Sequence, residues 1–159
     1  MRTNNEQQYQ DLLPVYGSYY DSLTQSALVN TPTPIFVRNT ALQNQITLQN
    51  NSEMVATLDG VYNIQFSLQL YRTAGGTTEQ FYLWYQKNNV SVPNSASRIT
   101  FSNNGQYIVP AWNFVEKLSE GESIRLMWQV SDVNIQITQL PTAGAIPAIP
   151  SAIITIVRV

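Results

Sequence analysis

Chemistry in this chain would have to come from its carboxylates. Glu116, Glu120 and Glu122 crowd one predicted turn, and carboxylates so spaced can share acid–base work or offer oxygen ligands to a hard cation. Asp132 and Asn134 offer the same oxygen chemistry at a second turn. Lys117 lies among the glutamates, so the plainer reading of that cluster is a solvated turn rim. The Gly75-Gly76 pair follows a strand pattern but opens no helix, which argues against a phosphate cradle and for a hairpin tip. The chain has no histidine and no cysteine. Those two residues supply most bases, nucleophiles and transition-metal ligands near neutral pH. No Ser-His pair, Cys-His pair or disulfide can form, and the expectation is a non-enzyme with no cofactor and no metal.

Aromatic residues are the second source of chemistry. Trp84, Trp112 and Trp128, with nine tyrosines, are stacking platforms for sugars if exposed and core if they lie on the inner faces of strands. Period two puts Trp112 on one face with Phe114 and Leu118, and Trp128 with Ile124 and Leu126, so both are expected in the core. Tyr82 and Trp84 alternate with Phe81, Leu83 and Tyr85. One of those two faces must be open, and Tyr82 and Trp84 are the candidate contact for a partner or a glycan. Val15 to Asp21 is a tyrosine-rich first strand, read as an edge whose rings cover the sandwich or as a docking surface.

Charge narrows the partners. Only 11 % of the 159 residues are charged, for a net charge of -2, while 15 Asn, 15 Gln, 13 Ser and 14 Thr provide the polarity. Eight scattered basic residues make no stripe for phosphates, so no nucleic acid is expected. The apolar run from Ala145 to Val157 contains two prolines and is too short for a span of about 20 residues, so no membrane is expected either. Residues 1 to 8 are polar and lack the apolar stretch of a secretory signal, and synthesis in a cytoplasm is expected.

These side chains must be positioned by strands. Alternation is clearest from Val61 to Leu70, where Tyr62, Ile64, Phe66, Leu68 and Leu70 share one face and Asn63, Gln65, Ser67 and Gln69 the other. It recurs from Ile35 to Arg38, Gln45 to Gln49, Met54 to Leu58, Phe81 to Lys87, Tyr107 to Leu118, Ile124 to Val130 and Ile135 to Gln139. Asp59-Gly60, Gly75-Gly76, Asn88-Asn89, Asn103-Asn104-Gly105 and Glu120-Gly121 punctuate the strands with residues tolerant of positive φ. The last strand, Ser151 to Val159, is apolar on both faces and requires a cover on both: a central place in the core or a second subunit. The reading is one all-β domain, residues 15–159, an antiparallel two-sheet sandwich or jelly roll behind a polar arm, residues 1–14.

The order of these pieces resembles the jelly roll of tumour necrosis factor and the globular head of the first complement component. Gly60-Val61-Tyr62-Asn63-Ile64-Gln65-Phe66 looks like that superfamily's strand-opening Gly-x-Tyr-x-Phe pattern, with Ile64 replacing its second aromatic. Glu120-Gly121-Glu122 leading into Ile124-Arg125-Leu126-Met127-Trp128, and the apolar closing strand, extend the likeness. Asn63 to Ser67, Leu83 to Asn88, Val92 to Ser95, Ala111 to Phe114 and Pro147 to Ser151 resemble virion proteins of tailed bacteriophages with this fold. The resemblance implies a homotrimer whose first, third, sixth and last main strands surround the threefold axis. On that implication Asn63, Gln65, Ser67, Gln69, Ile154 and Ile156 are the expected trimer interface.

The function this implies is structural: a trimeric decoration or cement protein on a phage capsid surface, bound to the shell's major capsid protein. The arm, through Tyr9, Leu12 and Leu13, is its expected anchor. The alternative is the receptor-binding tip of a tail fibre or spike that recognises host glycan.

Overall fold

A computed structural model describes residues 14–159. The expected arm contacts Tyr9, Leu12 and Leu13 lie outside the described residues. Fifteen strands run in chain order: β1 (Tyr16–Asp21), β2 (Thr33–Pro34), β3 (Asn39–Asn44), β4 (Ile46–Gln49), β5 (Glu53–Ala56), β6 (Gly60–Leu68), β7 (Leu70–Arg72) and β8 (Glu79–Lys87). They continue with β9 (Val90–Ser91), β10 (Ser97–Phe101), β11 (Tyr107–Ile108), β12 (Ala111–Leu118), β13 (Ser123–Val130), β14 (Ile135–Ile137) and β15 (Ala152–Arg158). No helix occurs among the described residues, and therefore none long and apolar enough to cross a membrane.

Two sheets face each other. One has the order β12-β6-β15-β1-β3; the other has β10-β8-β13-β5-β4, with β2 added on β13 and β9 on β8. All the strand pairs are antiparallel. The core lies between them, with Tyr19, Tyr62, Ile64, Phe66, Ile154 and Ile156 from the first and Met54, Phe81, Leu83, Ile124, Leu126 and Trp128 from the second.

A third sheet, β11-β7-β14, arises where two expected long strands break. Val61 to Leu70 divides at Gln69, whose N–H donates to the Ser151 carbonyl and whose carbonyl accepts from Thr138 N–H, at 2.8 and 2.6 Å. Tyr107 to Leu118 divides at Pro110, which has no N–H for a ladder. The two breaks are in register: β6 pairs β12 on one side, β7 pairs β11 on the other, so the ribbon passes from one sheet to another as a unit.

Ile35 to Arg38 is not a strand. Its alternation is real, since Ile35 and Val37 are buried, but their N–H groups donate to the separate carbonyls of Leu126 and Asn51. Gly75-Gly76 is not a hairpin tip either, because β7 and β8 belong to different sheets. Instead Gly75, at φ +112°, wraps the buried Arg72 guanidinium. Arg72 donates to the carbonyls of Ala74, Thr77 and Phe101 and to Asp132.

Candidate interaction surfaces

Three of the candidate carboxylates, Asp132, Glu122 and Glu116, are occupied by the fold, while Glu120 is placed by its backbone N–H, which donates to Asp59 Oδ1 at 2.7 Å. Asp132 receives Arg72 on one oxygen and the backbone and side-chain N–H groups of Asn134 on the other. Glu122 accepts from Ser119 N–H, Lys87 and Asn88; the backbone N–H and then the ammonium hold its carboxyl below the usual range. Glu116 accepts from the Tyr85 hydroxyl at 3.1 Å and lies 3.9 Å from Lys87. Among the described residues no group of three or more acidic side chains is placed to hold a metal ion. The turn rim is a set of ion pairs that fastens the β12–β13 turn to the end of β8.

The outer face of the five-stranded sheet has a different chemistry. Strand register places Val115, Asn63, Val157, Tyr16 and Asn44 in one row, Asn113, Gln65, Thr155, Ser18 and Leu42 in the next, and Ala111, Ser67, Ile153, Tyr20 and Asn39 in a third. None of these side chains is charged. Val115, Leu42, Val157, Ile153 and Tyr20 are all exposed large apolar groups. The amides help one another: Asn113 Nδ2 donates to Asn63 Oδ1 at 2.9 Å.

Three of the expected interface residues, Asn63, Gln65 and Ser67, therefore lie together on this face. Gln69 does not, because the chain leaves the sheet there. Ile154 and Ile156 are placed elsewhere too, and this corrects the sequence reading. Both are fully buried in the chain's own core, on the opposite face of β15. The strand sits centrally in its sheet, so the second sheet covers its even-numbered side. Its outward apolar residues are Ile153 and Val157, 39 % and 44 % exposed, which sequence reasoning did not single out although their parity was visible.

The other sheet carries the second candidate surface. Tyr82 and Trp84 both point outward from β8 and line an open groove of about 490 Å³, with Gln129 on β13 and Asn94 and Ser95 in the loop after β9. Trp84 Nε1 donates to Ser91 Oγ at 3.0 Å, which fixes the indole plane. Asn94 takes the left-handed conformation at φ 61°. Ser95 Oγ donates to the Val92 carbonyl at 2.8 Å, so the loop is tied back on itself. No charged residue lines the groove; Arg98 stands at its rim, cross-strand from Tyr82.

The other two tryptophans separate. Trp128 is fully buried beside Phe81, as its period predicted. Trp112 is not core: it packs edge-on against Phe66, centroids 4.5 Å apart, yet stays 38 % exposed. The reason is that β12 is the edge strand of its sheet, so only one flank of the ring is covered.

No family model and no curated protein matches the chain. Among solved structures it is similar to the globular domain of a zebrafish complement 1qA protein, with a TM-score of 0.58 and 13 % identity over 92 % of this chain and 98 % of that one. At that identity the likeness is one of fold: this chain is an all-β protein with the architecture of a complement globular head.

Proposed function

We propose that this chain is a structural, non-catalytic virion protein that assembles as a homotrimer through the outer face of its five-stranded sheet and decorates a phage capsid by binding the major capsid protein. The observation that carries the assembly is the uncharged three-row surface just described, with apolar side chains on the central strand β15. Burying it against copies of itself desolvates no ion, and burial of unpaired ions is what makes most polar surfaces poor contacts. Exposed apolar groups set among neutral amides, which can pair across a subunit boundary, suit a contact of that kind. The sheet that bears this surface contains the first and last strands side by side, as the trimer implied by the sequence resemblance requires.

The virion assignment is supported by the segments from Leu83 to Asn88, Ala111 to Phe114 and Pro147 to Ser151 that resemble phage proteins of this fold. A surface rich in amides and poor in charge suits a lattice of many contacts. The anchoring role belongs on this reading to the polar arm.

Sedimentation of the full chain at micromolar concentration is expected to give a trimer. Antibody detection in fractionated phage is expected to find the protein with emptied capsids and not with isolated tails. A monomer in solution overturns the assembly, and detection only in tails overturns the capsid location.

A further inference from the structure

We propose that the groove around Trp84 binds a neutral saccharide. A sugar ring offers a patch of C–H groups to an aromatic face and a rim of hydroxyls that both donate and accept hydrogen bonds. Tyr82 and Trp84, two residues apart on the same face of β8, supply the aromatic floor. Gln129, cross-strand from Tyr82, Asn94 and Asn30 supply carboxamides around it.

What distinguishes these amides is that they are free. Elsewhere on the same sheet face, Gln86 accepts from Arg125 and Gln80 accepts from Thr100, at 2.9 Å each. The side chains of Gln129, Asn94 and Asn30 and the Tyr82 hydroxyl make no hydrogen bond to any other described residue. Unused donors and acceptors therefore line a stretch of the face that is concave and aromatic. Its volume, about 490 Å³, lies in the range of roughly 300 to 1,000 Å³ typical of small-ligand sites. The indole is already oriented by Ser91 and the loop already closed by Ser95, so little ordering remains to oppose binding. The absence of charge among the lining residues selects a neutral sugar over an acidic one. This groove lies on the opposite sheet from the proposed trimer surface, so its occupancy and the oligomeric state are tested separately.

The test is calorimetry and saturation-transfer NMR on the full chain with maltotriose, cellotriose, lactose, mannotriose and chitotriose, and with trigalacturonate as the acidic counterpart. At least one neutral sugar is expected to bind with a dissociation constant below about 10 mM, and Trp84→Ala to weaken it about tenfold. Trp84→Phe, which keeps an aromatic floor, is expected to stay within about threefold of wild type. Asn94→Gly, which removes the carboxamide and keeps the left-handed backbone that alanine would strain, is expected to weaken binding about fivefold with the fold intact. Absence of binding by every neutral sugar overturns the proposal. So does binding that survives Trp84→Ala and Asn94→Gly unchanged, and so does preference for trigalacturonate that is lost on Arg98→Gln.

Discussion

The ring of Tyr85 lies flat on that of Phe114, with centroids 4.0 Å apart and planes 5° from parallel. Tyr85 belongs to β8 and Phe114 to β12, so this stack joins the two main sheets at the edge where β12 has no neighbour beyond it. The Tyr85 hydroxyl donates to Glu116, two residues along β12, and adds a polar clasp to the apolar one.

Phe114→Ala is expected to destabilise the domain by about 2 kcal/mol, below the value for a fully buried phenylalanine because the ring is only partly covered. Tyr85→Phe keeps the stack and loses only the hydrogen bond, so about 0.5 to 1 kcal/mol is expected. Urea unfolding of the two variants checks the order. Equal losses would mean that the hydroxyl, not the stack, closes this edge.

Gly75 and Gly76 differ sharply in what surrounds them. A Cβ on Gly75 would collide with Arg72 Nη2 and stand 2.8 Å from Asp132 Oδ2, and its φ is +112°. Gly75→Ala therefore combines backbone strain with displacement of a buried ion pair, and a loss of about 2 kcal/mol or more is expected. Nothing lies within 4 Å of a Cβ on Gly76. Gly76→Ala is expected to be neutral or to stabilise by up to about 1 kcal/mol through a less free unfolded chain. Thermal melts of the pair separate a steric role from simple loop flexibility.

Burial pushes the Tyr19 phenol up to about 12 from the ordinary 10.0. The folded state holds the phenolic proton more tightly than the unfolded one. Its stabilising contribution is therefore complete below pH 10 and lost as pH rises towards 12. The urea midpoint is expected to fall between about pH 10 and 12, and the fall to be shallower in Tyr19→Phe, which has no proton to lose. Tyr62 and Tyr85 are also raised by burial, so some alkaline slope is expected to remain. An identical slope in the variant would place the effect elsewhere.

Much of this architecture was readable because period two is a local property. In β6 every core residue from Tyr62 to Leu68 was assigned to its face by alternation alone, and β8 and β13 followed in the same way. Strand β3 was not legible: Asn39–Asn44 is largely exposed, with a bulge opposite Ser18 and Tyr19, so no apolar rhythm marks it. Parity also tells which residues share a face without telling what covers it. Ile154 and Ile156 were expected against another subunit because the sequence of β15 holds no sign that the second sheet already lies over them. The groove was half visible. Tyr82 and Trp84 stood out as an open aromatic pair, whereas Asn30, Asn94 and Gln129 are scattered along the chain and meet only once the strands are in register.

The proposed assembly can be separated from simple folding by two substitutions on one strand. Ile154 faces the core and is fully buried. An aspartate there would place an unpaired carboxylate among apolar side chains, so Ile154→Asp is expected to unfold the protomer whatever its oligomeric state. Val157 faces outward and is 44 % exposed, between Asn63 on β6 and Tyr16 on β1. In a lone protomer an aspartate at that position stays hydrated. In a trimer built on this face, three such carboxylates would be drawn out of water near one another, and like charges in that setting repel. Val157→Asp is therefore expected to sediment as a monomer with a circular-dichroism spectrum like that of the wild type. A Val157→Asp trimer of undiminished stability would mean that the copies meet on another surface.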